Sequence, residues 1–167
     1  MGTKGAFFDR DGVLDVDKGY TYRVEDLEWM PGAKETIANL TRLGYKIFVV
    51  TNQSGIARGF YTPEDVHKLH SYMQEEFQKA GGKITKFYYC PHHPTKGIIP
   101  ELTVKCNCRK PAPGMILQAF KEYDLDKTGS FMVGDMPKDM EAAKAAGLPG
   151  YLFKGGNLWE FVQTIVK

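Results

Sequence analysis

The sequence contains no long apolar run, and this absence sets the first limit on what the protein can be. No stretch approaches the roughly 18 consecutive apolar residues that a membrane-spanning helix needs. The first residues also lack the apolar core that is typical of a signal peptide. We therefore expect a soluble, cytoplasmic protein that has no membrane partner.

An excess of charge of one sign is also missing. The chain has 22 Lys and Arg residues against 20 Asp and Glu residues. Its longest basic tract is the pair Arg109-Lys110. Nucleic-acid-binding proteins usually carry a basic patch or stripe, so the sequence predicts no nucleic-acid partner.

Cysteine is scarce, since the chain of 167 residues has only three. An odd number this small excludes the disulfide framework of small secreted domains. The three cysteines are nevertheless clustered, at Cys90, Cys106 and Cys108. Clustered, reduced thiols indicate a metal site.

Apolar runs of strand length alternate with patterns of helical period along the whole chain. The predicted strands are residues 5–8, 45–50, 86–90, 130–134 and 150–153; the predicted helices are residues 32–44, 62–82, 114–123 and 138–147, followed by a C-terminal helix. Residues 91–113 have no regular pattern. This alternation predicts an α/β fold, a doubly wound, mostly parallel sheet in a three-layer α/β/α sandwich. We expect residues 1–167 to form a single domain.

Two of these helices carry apolar residues at helical spacing. The first helix carries Ile37, Leu40 and Leu43 at helical spacing. The second has Thr62, Pro63 and Asp65 as a start signal. Its predicted core face consists of Val66, Leu69, Met73, Phe77 and Ala80. We expect the two histidines of this helix, His67 and His70, to be ordinary exposed or partly buried residues.

Polar side chains follow three of the predicted strands at the point where each strand ends. Asp9 follows the first, Thr51 and Asn52 end the second, and Asp135 follows the fourth. In open parallel sheets, ligands bind outside the carboxyl ends of the strands. The three strand ends therefore predict a site at one edge of the sheet.

The chemistry of these residues suits a phosphorylated substrate. Asp9 and Asp135 offer oxygen ligands to Mg²⁺, and Asp9 is also a candidate nucleophile that forms an aspartyl-phosphate. Asp11 is placed to protonate the leaving oxygen and to activate water. Thr51 and Lys110 can bind the phosphoryl group.

Two neighbouring residues complete this prediction. Gly12 lets the backbone turn tightly beside the two aspartates. Asp139 is expected to support the site, either in the metal shell or by orienting Lys110. The alternative for Asp9 and Asp11 is a turn with an Asx-type hydrogen bond, which accounts for most Asp-x-Asp-Gly sequences taken singly.

Four motifs occur in order along the chain: "DRDGVLD", "TNQSG", Lys110 in "CRKP" and "GDMPKD". Together they resemble the motifs of the haloacid dehalogenase (HAD) superfamily of phosphotransferases, over essentially the whole chain. The resemblance implies Asp9 as nucleophile and Asp11 as general acid/base, with Thr51 and Lys110 as phosphate-binding groups. It further implies magnesium ligation by Asp9, by Asp135 and by the backbone carbonyl of Asp11. Val13 stands where many members have Thr, a variation that the superfamily tolerates.

The irregular stretch contains a second candidate metal site. Cys90 and His92 form a Cys-x-His pair, and Cys106 and Cys108 form a Cys-x-Cys pair. Three thiolates and one imidazole make a closed tetrahedral Zn²⁺ site, which is a structural type. Such a site would fold the loop at about 90–108. Two alternatives stay open: His93 as the zinc ligand in place of His92, and unliganded buried cysteines.

Within the superfamily, the zinc-type loop and the short chain without an inserted cap domain are similar to the heptose 1,7-bisphosphate 7-phosphatases and to the related histidinol phosphatases. The stretch "TNQSGIARGFY" resembles the heptose form. This implies a phosphorylated sugar as the small-molecule partner, in nucleotide-activated heptose biosynthesis. The implied substrate-binding residues are Asn52, Gln53, Ser54, Arg58 and Arg109.

Arg58 and Arg109 are candidates for binding the second phosphate of such a substrate, although Arg58 is alternatively an exposed solubilising residue. A monomer is expected. Two function classes without catalysis are alternatives. One is a phosphoacceptor module for signalling, and the other is an interaction module organised by zinc.

Overall fold

The computed structural model describes residues 2–166, and its centre is a five-stranded parallel sheet. The strands are β1 (Thr3–Phe8), β2 (Lys46–Asn52), β3 (Lys86–Cys90), β4 (Leu125–Gly134) and β5 (Gly150–Leu152). The helices are α1 (Ala33–Arg42), α2 (Pro63–Lys79), α3 (Gly114–Glu122), α4 (Pro137–Ala145) and α5 (Leu158–Val162). Two 3-10 helices, Val24–Asp26 and Pro100–Leu102, lie in the loops.

The strand order is β3-β2-β1-β4-β5, and every pairing is parallel. The predicted α/β class and doubly wound sheet are therefore confirmed. The direction of connection reverses between β1 and β4, which are neighbours at the centre of the sheet. A reversal of this kind opens a crevice at the carboxyl ends of the strands.

Helices cover both faces of the sheet because successive strand residues point to opposite sides. On one face, Phe8 of β1 packs in a cluster with apolar residues of α1, α2 and α5. On the other, Phe7 packs in a cluster with residues of α3 and α4. The only helix or strand in the connections at 9–32 and 53–62 is the 3-10 helix Val24–Asp26. No cap domain is therefore inserted in these two connections.

The long helix α2 begins as its sequence predicts. The Thr62 hydroxyl accepts a hydrogen bond from the backbone N–H of Asp65, and the Asp65 carboxylate accepts one from the backbone N–H of Thr62. This reciprocal capping box satisfies two N–H groups that would otherwise lack partners.

The sequence predictions are wrong at the ends of three elements. Leu43 is 57% exposed, because it lies one residue beyond the end of α1 at Arg42. Ala80 is exposed for the same reason at the end of α2. Strand β4 begins at Leu125 rather than at residue 130, since Leu125 and Asp126 already pair with Thr3 and Lys4 of β1, ahead of a register irregularity.

Among residues 2–166, no helix combines the length and the apolar character needed to cross a membrane.

Candidate active site and cysteine-histidine cluster

The carboxyl ends of β1, β2 and β4 meet at a cavity of about 320 Å³. The residues that line it are Asp9, Asp11, Asp17, Gly19, Tyr20, Thr51, Asn52, Gln53, Ser54, Tyr61, Arg109, Lys110, Asp135, Met136 and Lys138. The structure thus brings the predicted catalytic residues and four of the five predicted substrate-binding residues to one place. Arg58 is the exception.

Lys110 lies at the centre of the site, and its side chain is almost fully buried. Its Nζ is 2.8 Å from Oδ1 of Asp9 and 2.7 Å from Oδ1 of Asp139. Burial alone would lower the pKa of Lys110, but the two carboxylates outweigh it and the net shift is upward. Lys110 is therefore a fixed positive charge beside the candidate nucleophile.

Asn52 holds the backbone of Lys110 in place. Its Oδ1 accepts a hydrogen bond of 3.0 Å from the Lys110 N–H, and its Nδ2 donates one of 3.2 Å to the Lys110 carbonyl. Asn52 was predicted as a substrate-binding residue. These contacts occupy both ends of its amide, so its clearest role in the structure is to position Lys110.

Asp139 orients Lys110 from the opposite side. Its Oδ2 accepts hydrogen bonds of 3.1 Å from the backbone N–H groups of Asp135 and Met136, at the start of α4. Its Oδ1 is the atom that contacts Lys110. Of the two supporting roles expected for Asp139, the contacts therefore favour orientation of Lys110.

Asp9, Asp135 and Asp139 each place a carboxylate oxygen within 4.8 Å of the others. Burial, and then the negative charge of Asp9, raise the pKa of Asp135 to about 7. A group of carboxylates this close is stabilised by a cation, and oxygen ligands are the donor set that Mg²⁺ prefers. The residues therefore fit a magnesium ion.

Gly12 makes room for Asp135. A Cβ atom at Gly12 would lie 2.0 Å from Oδ2 of Asp135, and the backbone φ of Gly12 is +90°. Both the space and the left-handed conformation exclude a side chain here. The turn that the sequence predicts after Asp11 thus gives Asp135 its place at the site.

A chain of hydrogen bonds connects Asp11 to Thr51. The Gln53 amide donates to Oδ2 of Asp11 at 3.3 Å and to the Thr51 hydroxyl at 2.8 Å. Tyr61 in turn donates its hydroxyl proton to Oε1 of Gln53 at 2.5 Å. The Arg10 guanidinium donates to both oxygens of Asp11.

Asp15 is fully buried behind Asp11. Neither of its carboxylate oxygens has a hydrogen-bond partner among the described residues. Burial, and then the charge of Asp11, raise the pKa of Asp15 to about 9. Both influences disfavour the charged form of Asp15 beside Asp11.

The two arginines predicted for a distal phosphate differ in placement. Arg109 lines the cavity. Arg58 lies outside the lining, where it donates a 2.7 Å hydrogen bond to the Tyr20 hydroxyl. Its guanidinium also lies 4.9 Å from the centre of the Phe60 ring. Arg58 thus contacts the cavity wall through Tyr20.

The four predicted zinc ligands form one cluster. The Sγ atom of Cys108 is 2.8 Å from that of Cys90, 3.5 Å from that of Cys106 and 3.4 Å from Nδ1 of His92. The contact with Cys90 lowers the pKa of Cys108 to about 5. Three sulfurs and one imidazole nitrogen in mutual contact fit a tetrahedral Zn²⁺ ion.

His93 does not join this cluster. Its Nδ1 accepts backbone hydrogen bonds from Thr95, at 3.2 Å, and from Lys96, at 2.8 Å. The structure therefore separates the two histidines and places His92 with the cysteines.

Sequence reasoning missed several residues of the site. Asp17, Gly19 and Tyr20 reach the cavity from a loop with no regular pattern, and Met136 and Lys138 reach it from the start of α4. His70, expected to be exposed or partly buried, is 5% exposed. No local signal identifies these positions, except that Met136 and Lys138 lie within the "GDMPKD" motif.

Comparisons with known proteins agree with this geometry. The family model described as HAD-hydrolase-like matches residues 107–158. The chain is 44% identical over 161 residues to D-glycero-beta-D-manno-heptose-1,7-bisphosphate 7-phosphatase of Rhodopseudomonas palustris, covering 96% of this chain and 89% of the relative. It is 45% identical over 148 residues to the D-glycero-alpha-D-manno-heptose enzyme of Campylobacter jejuni, covering 89% and 80%.

A solved structure is also similar. The D,D-heptose 1,7-bisphosphate phosphatase of B. bronchiseptica, complexed with magnesium and phosphate, has a TM-score of 0.82 and 32% identity, covering 97% of this chain and 87% of that chain. Sequence identity to the two curated relatives exceeds 40% over most of the chain, and the solved structure has the same fold. This chain belongs to the heptose-1,7-bisphosphate 7-phosphatase family of HAD-like hydrolases.

Proposed function

We propose that this protein is a magnesium-dependent phosphatase that removes the 7-phosphate of D-glycero-D-manno-heptose 1,7-bisphosphate. The observation that carries the proposal is the buried Lys110 between Asp9 and Asp139, at a cavity whose lining matches the motifs of this family. A phosphoacceptor module or a zinc-organised interaction module is not favoured, because the relatives are named phosphatases.

The side chains divide the reaction between them. A carboxylate oxygen of Asp9 attacks phosphorus and forms an aspartyl-phosphate as the bond to the sugar oxygen breaks. Asp11 gives its proton to that oxygen and later takes one from the water that hydrolyses the intermediate. Lys110 and Thr51 bind the phosphoryl oxygens throughout.

Two metals complete the proposal. Mg²⁺, held by Asp9, Asp135 and the Asp11 carbonyl, would reduce the repulsion between the carboxylates and the anionic substrate. Zn²⁺, held by Cys90, His92, Cys106 and Cys108, would fix the loop that carries Arg109 and Lys110.

An active monomer stays a prediction. A cytoplasmic location stays a prediction.

The covalent step is tested with Asp9→Asn. The variant keeps the size of the side chain and loses the nucleophilic charge, so turnover should fall below detection while the protein stays folded. Asp124→Asn, an exposed aspartate before β4, is the matched control and should be unaffected. Phosphate release by Asp9→Asn at the wild-type rate would contradict the mechanism.

Substrate choice is tested against histidinol phosphate, the substrate of the related subfamily. The far end of heptose 1,7-bisphosphate is anionic, whereas that of histidinol phosphate carries an amine. A charge-assisted hydrogen bond from Arg109 is worth about 1.5–3 kcal/mol, or roughly tenfold to a hundredfold in kcat/KM. We expect the wild type to prefer heptose 1,7-bisphosphate over histidinol phosphate. Arg109→Ala should lose that preference.

Arg58→Ala should lose less of the preference, because Arg58 contacts the cavity only through Tyr20. Equal or better use of histidinol phosphate by the wild type would overturn the substrate assignment in favour of the histidinol phosphatase alternative.

A further inference from the structure

Arg10, between the two catalytic aspartates, is among the largest fully buried side chains of the protein. Its Nε donates to Oδ1 of Asp11 at 3.1 Å, and its Nη2 donates to Oδ2 of Asp11 at 3.1 Å. Nη2 also donates to the Thr21 carbonyl at 2.7 Å. A guanidinium that meets both oxygens of a carboxylate fixes the plane of that carboxylate as well as its position.

The remaining nitrogen of Arg10 contacts a residue on another element. Nη1 lies 3.2 Å from Nε2 of His70, on α2. The guanidinium can only donate, so Nε2 of His70 must be the acceptor. Burial, and then the charge of Arg10, lower the pKa of His70 well below its ordinary value, which keeps the ring neutral as an acceptor must be.

His70 is itself held in place. Its ring stacks on Phe87 of β3, with centroids 4.4 Å apart and an interplanar angle of 18°. Every guanidinium nitrogen of Arg10 thus has a hydrogen-bond partner. These partners are the Asp11 carboxylate, the Thr21 carbonyl and His70 of α2. Such an arrangement leaves Arg10 one orientation.

We propose that Arg10, oriented by His70, is the positioning residue that holds the Asp11 carboxyl group for proton transfer at the cavity. The side chain of Asp11 is 19% exposed and that of Arg10 is 0% exposed, so Arg10 holds Asp11 from the buried side and leaves its other side to the substrate. This inference rests on the proposed function, in which Asp11 is the acid and base.

The assignment accounts for both proton transfers. Asp11 loses its proton to the sugar oxygen while the bond from phosphorus to that oxygen breaks. The carboxylate that remains is met by the two N–H donors of Arg10. It then accepts a proton from the water that attacks the aspartyl-phosphate, which returns Asp11 to its starting state.

Two substrates with different leaving groups distinguish a positioning role of Arg10 from a merely structural one. A sugar alkoxide is a poor leaving group that needs the proton of Asp11, whereas the p-nitrophenolate of p-nitrophenyl phosphate leaves without one. The ratio of kcat/KM for the two substrates, measured with magnesium, therefore reports on Asp11. A general loosening of the fold would lower both values together.

His70→Phe keeps the stacking on Phe87 and removes the acceptor for Arg10. We expect it to lower kcat/KM for the heptose bisphosphate by about tenfold to a hundredfold, with a change of less than about twofold for p-nitrophenyl phosphate. His70→Gln retains an acceptor and should restore most of the ratio.

The matched control is His67→Phe. His67 is exposed on the same helix, one turn earlier, and packs against Tyr89 rather than Arg10, so it should leave the ratio unchanged. If His70→Phe does not fold, Arg10→Lys serves in its place. This variant keeps the positive charge but loses the bidentate contact with Asp11. Like His70→Phe, it should lower kcat/KM for the heptose bisphosphate relative to that for p-nitrophenyl phosphate.

Equal losses for both substrates, or no loss for either, in a folded variant would overturn the assignment of Arg10. The proposed function fails by a different result, namely a wild-type protein that releases no phosphate from the heptose bisphosphate, or an active Asp9→Asn variant. The two failures are therefore distinguishable.

Discussion

At the scale of single residues, the tightest constraint in the site lies between Gly12 and Asp135. These residues follow different strands, and their contact depends on the missing side chain of Gly12, where a Cβ atom would be 2.0 Å from Oδ2 of Asp135. The position of a carboxylate proposed to bind magnesium thus depends on a glycine far away in the sequence.

We predict that Gly12→Ala displaces Asp135 and weakens magnesium binding. The strain at φ of +90° should cost about 1–2 kcal/mol of unfolding free energy, and the displaced carboxylate should lower kcat at fixed magnesium by about a hundredfold. Kinetics over a magnesium titration, together with urea unfolding, would measure both effects.

Gly44→Ala is the control for backbone strain alone. Gly44 has the same φ of +90° and nothing within 4 Å of its added Cβ. It should lose similar stability and keep full activity. A Gly12→Ala variant with wild-type magnesium dependence would show that Asp135 tolerates the displacement.

At the scale of elements, the loop between β3 and α3 connects a candidate metal cluster to the site. It carries His92, Cys106 and Cys108 of the cysteine-histidine cluster, which Cys90 at the end of β3 completes, and it contains Arg109 and Lys110. It also contacts the loop after β2, because the N–H groups of Ile98 and Ile99 donate to the carbonyl of Ala57 at 2.9 and 3.1 Å. The loop therefore contacts the cavity, through Arg109 and Lys110, and the loop after β2.

We predict that Cys106→Ser reduces zinc content and loosens this loop. Its few apolar contacts would not hold it without the metal, so cleavage by a protease within residues 91–109 should become faster. Activity should fall indirectly, through Arg109 and Lys110. Elemental analysis and limited proteolysis give the measurements.

The control for this prediction is Thr95→Ser, a small change in the same loop away from the cluster. A wild-type protein prepared without chelator that holds no zinc would contradict the zinc assignment. Equal protease resistance in Cys106→Ser and the wild type would contradict the structural role of the metal.

At the scale of the whole molecule, the central position of β1 connects the site to global stability. The sheet order places β1 between β2 and β4, so Asp9 lies where both neighbours deliver polar groups. A cation bound there joins residues from several elements and binds the folded state only. Such a ligand adds about 2.7 kcal/mol to the free energy of unfolding at a hundred times its Kd.

We predict that this stabilisation by Mg²⁺ depends on pH. The pKa of Asp135 is raised from 3.8 to about 7, so its contribution to metal-free stability is full at low pH and is lost as pH rises through 7. Mg²⁺ needs the carboxylate form. Its affinity should therefore rise about tenfold per pH unit below 7 and level off above it.

Urea unfolding with and without magnesium, at pH 5.5 and pH 8, measures this linkage. The stabilisation by Mg²⁺ should be small at the lower pH and large at the higher one. Asp135→Asn cannot titrate and should lose most of the effect at both values. An equal magnesium effect at both pH values in the wild type would contradict the prediction.

Much of the site follows from the sequence because its signals are local. An apolar strand followed by a carboxylate predicts a residue at the edge of the sheet, and Asp9, Thr51 and Asp135 lie there. The pairs Cys90–His92 and Cys106–Cys108 also assemble as their spacing suggests. Helical periodicity was less reliable near helix ends, where Leu43 and Ala80 are exposed.

The sequence by itself determined the α/β class, the parallel sheet and the motif residues, because strand period, helix period and strand-end polarity are properties of short segments. Only the tertiary structure decided that Arg10 meets His70, that Asn52 holds Lys110 and that Arg58 contacts Tyr20 instead of lining the cavity. Each of these pairs is far apart in the chain. Their contacts depend on how helices and loops pack against the sheet, which no local pattern specifies.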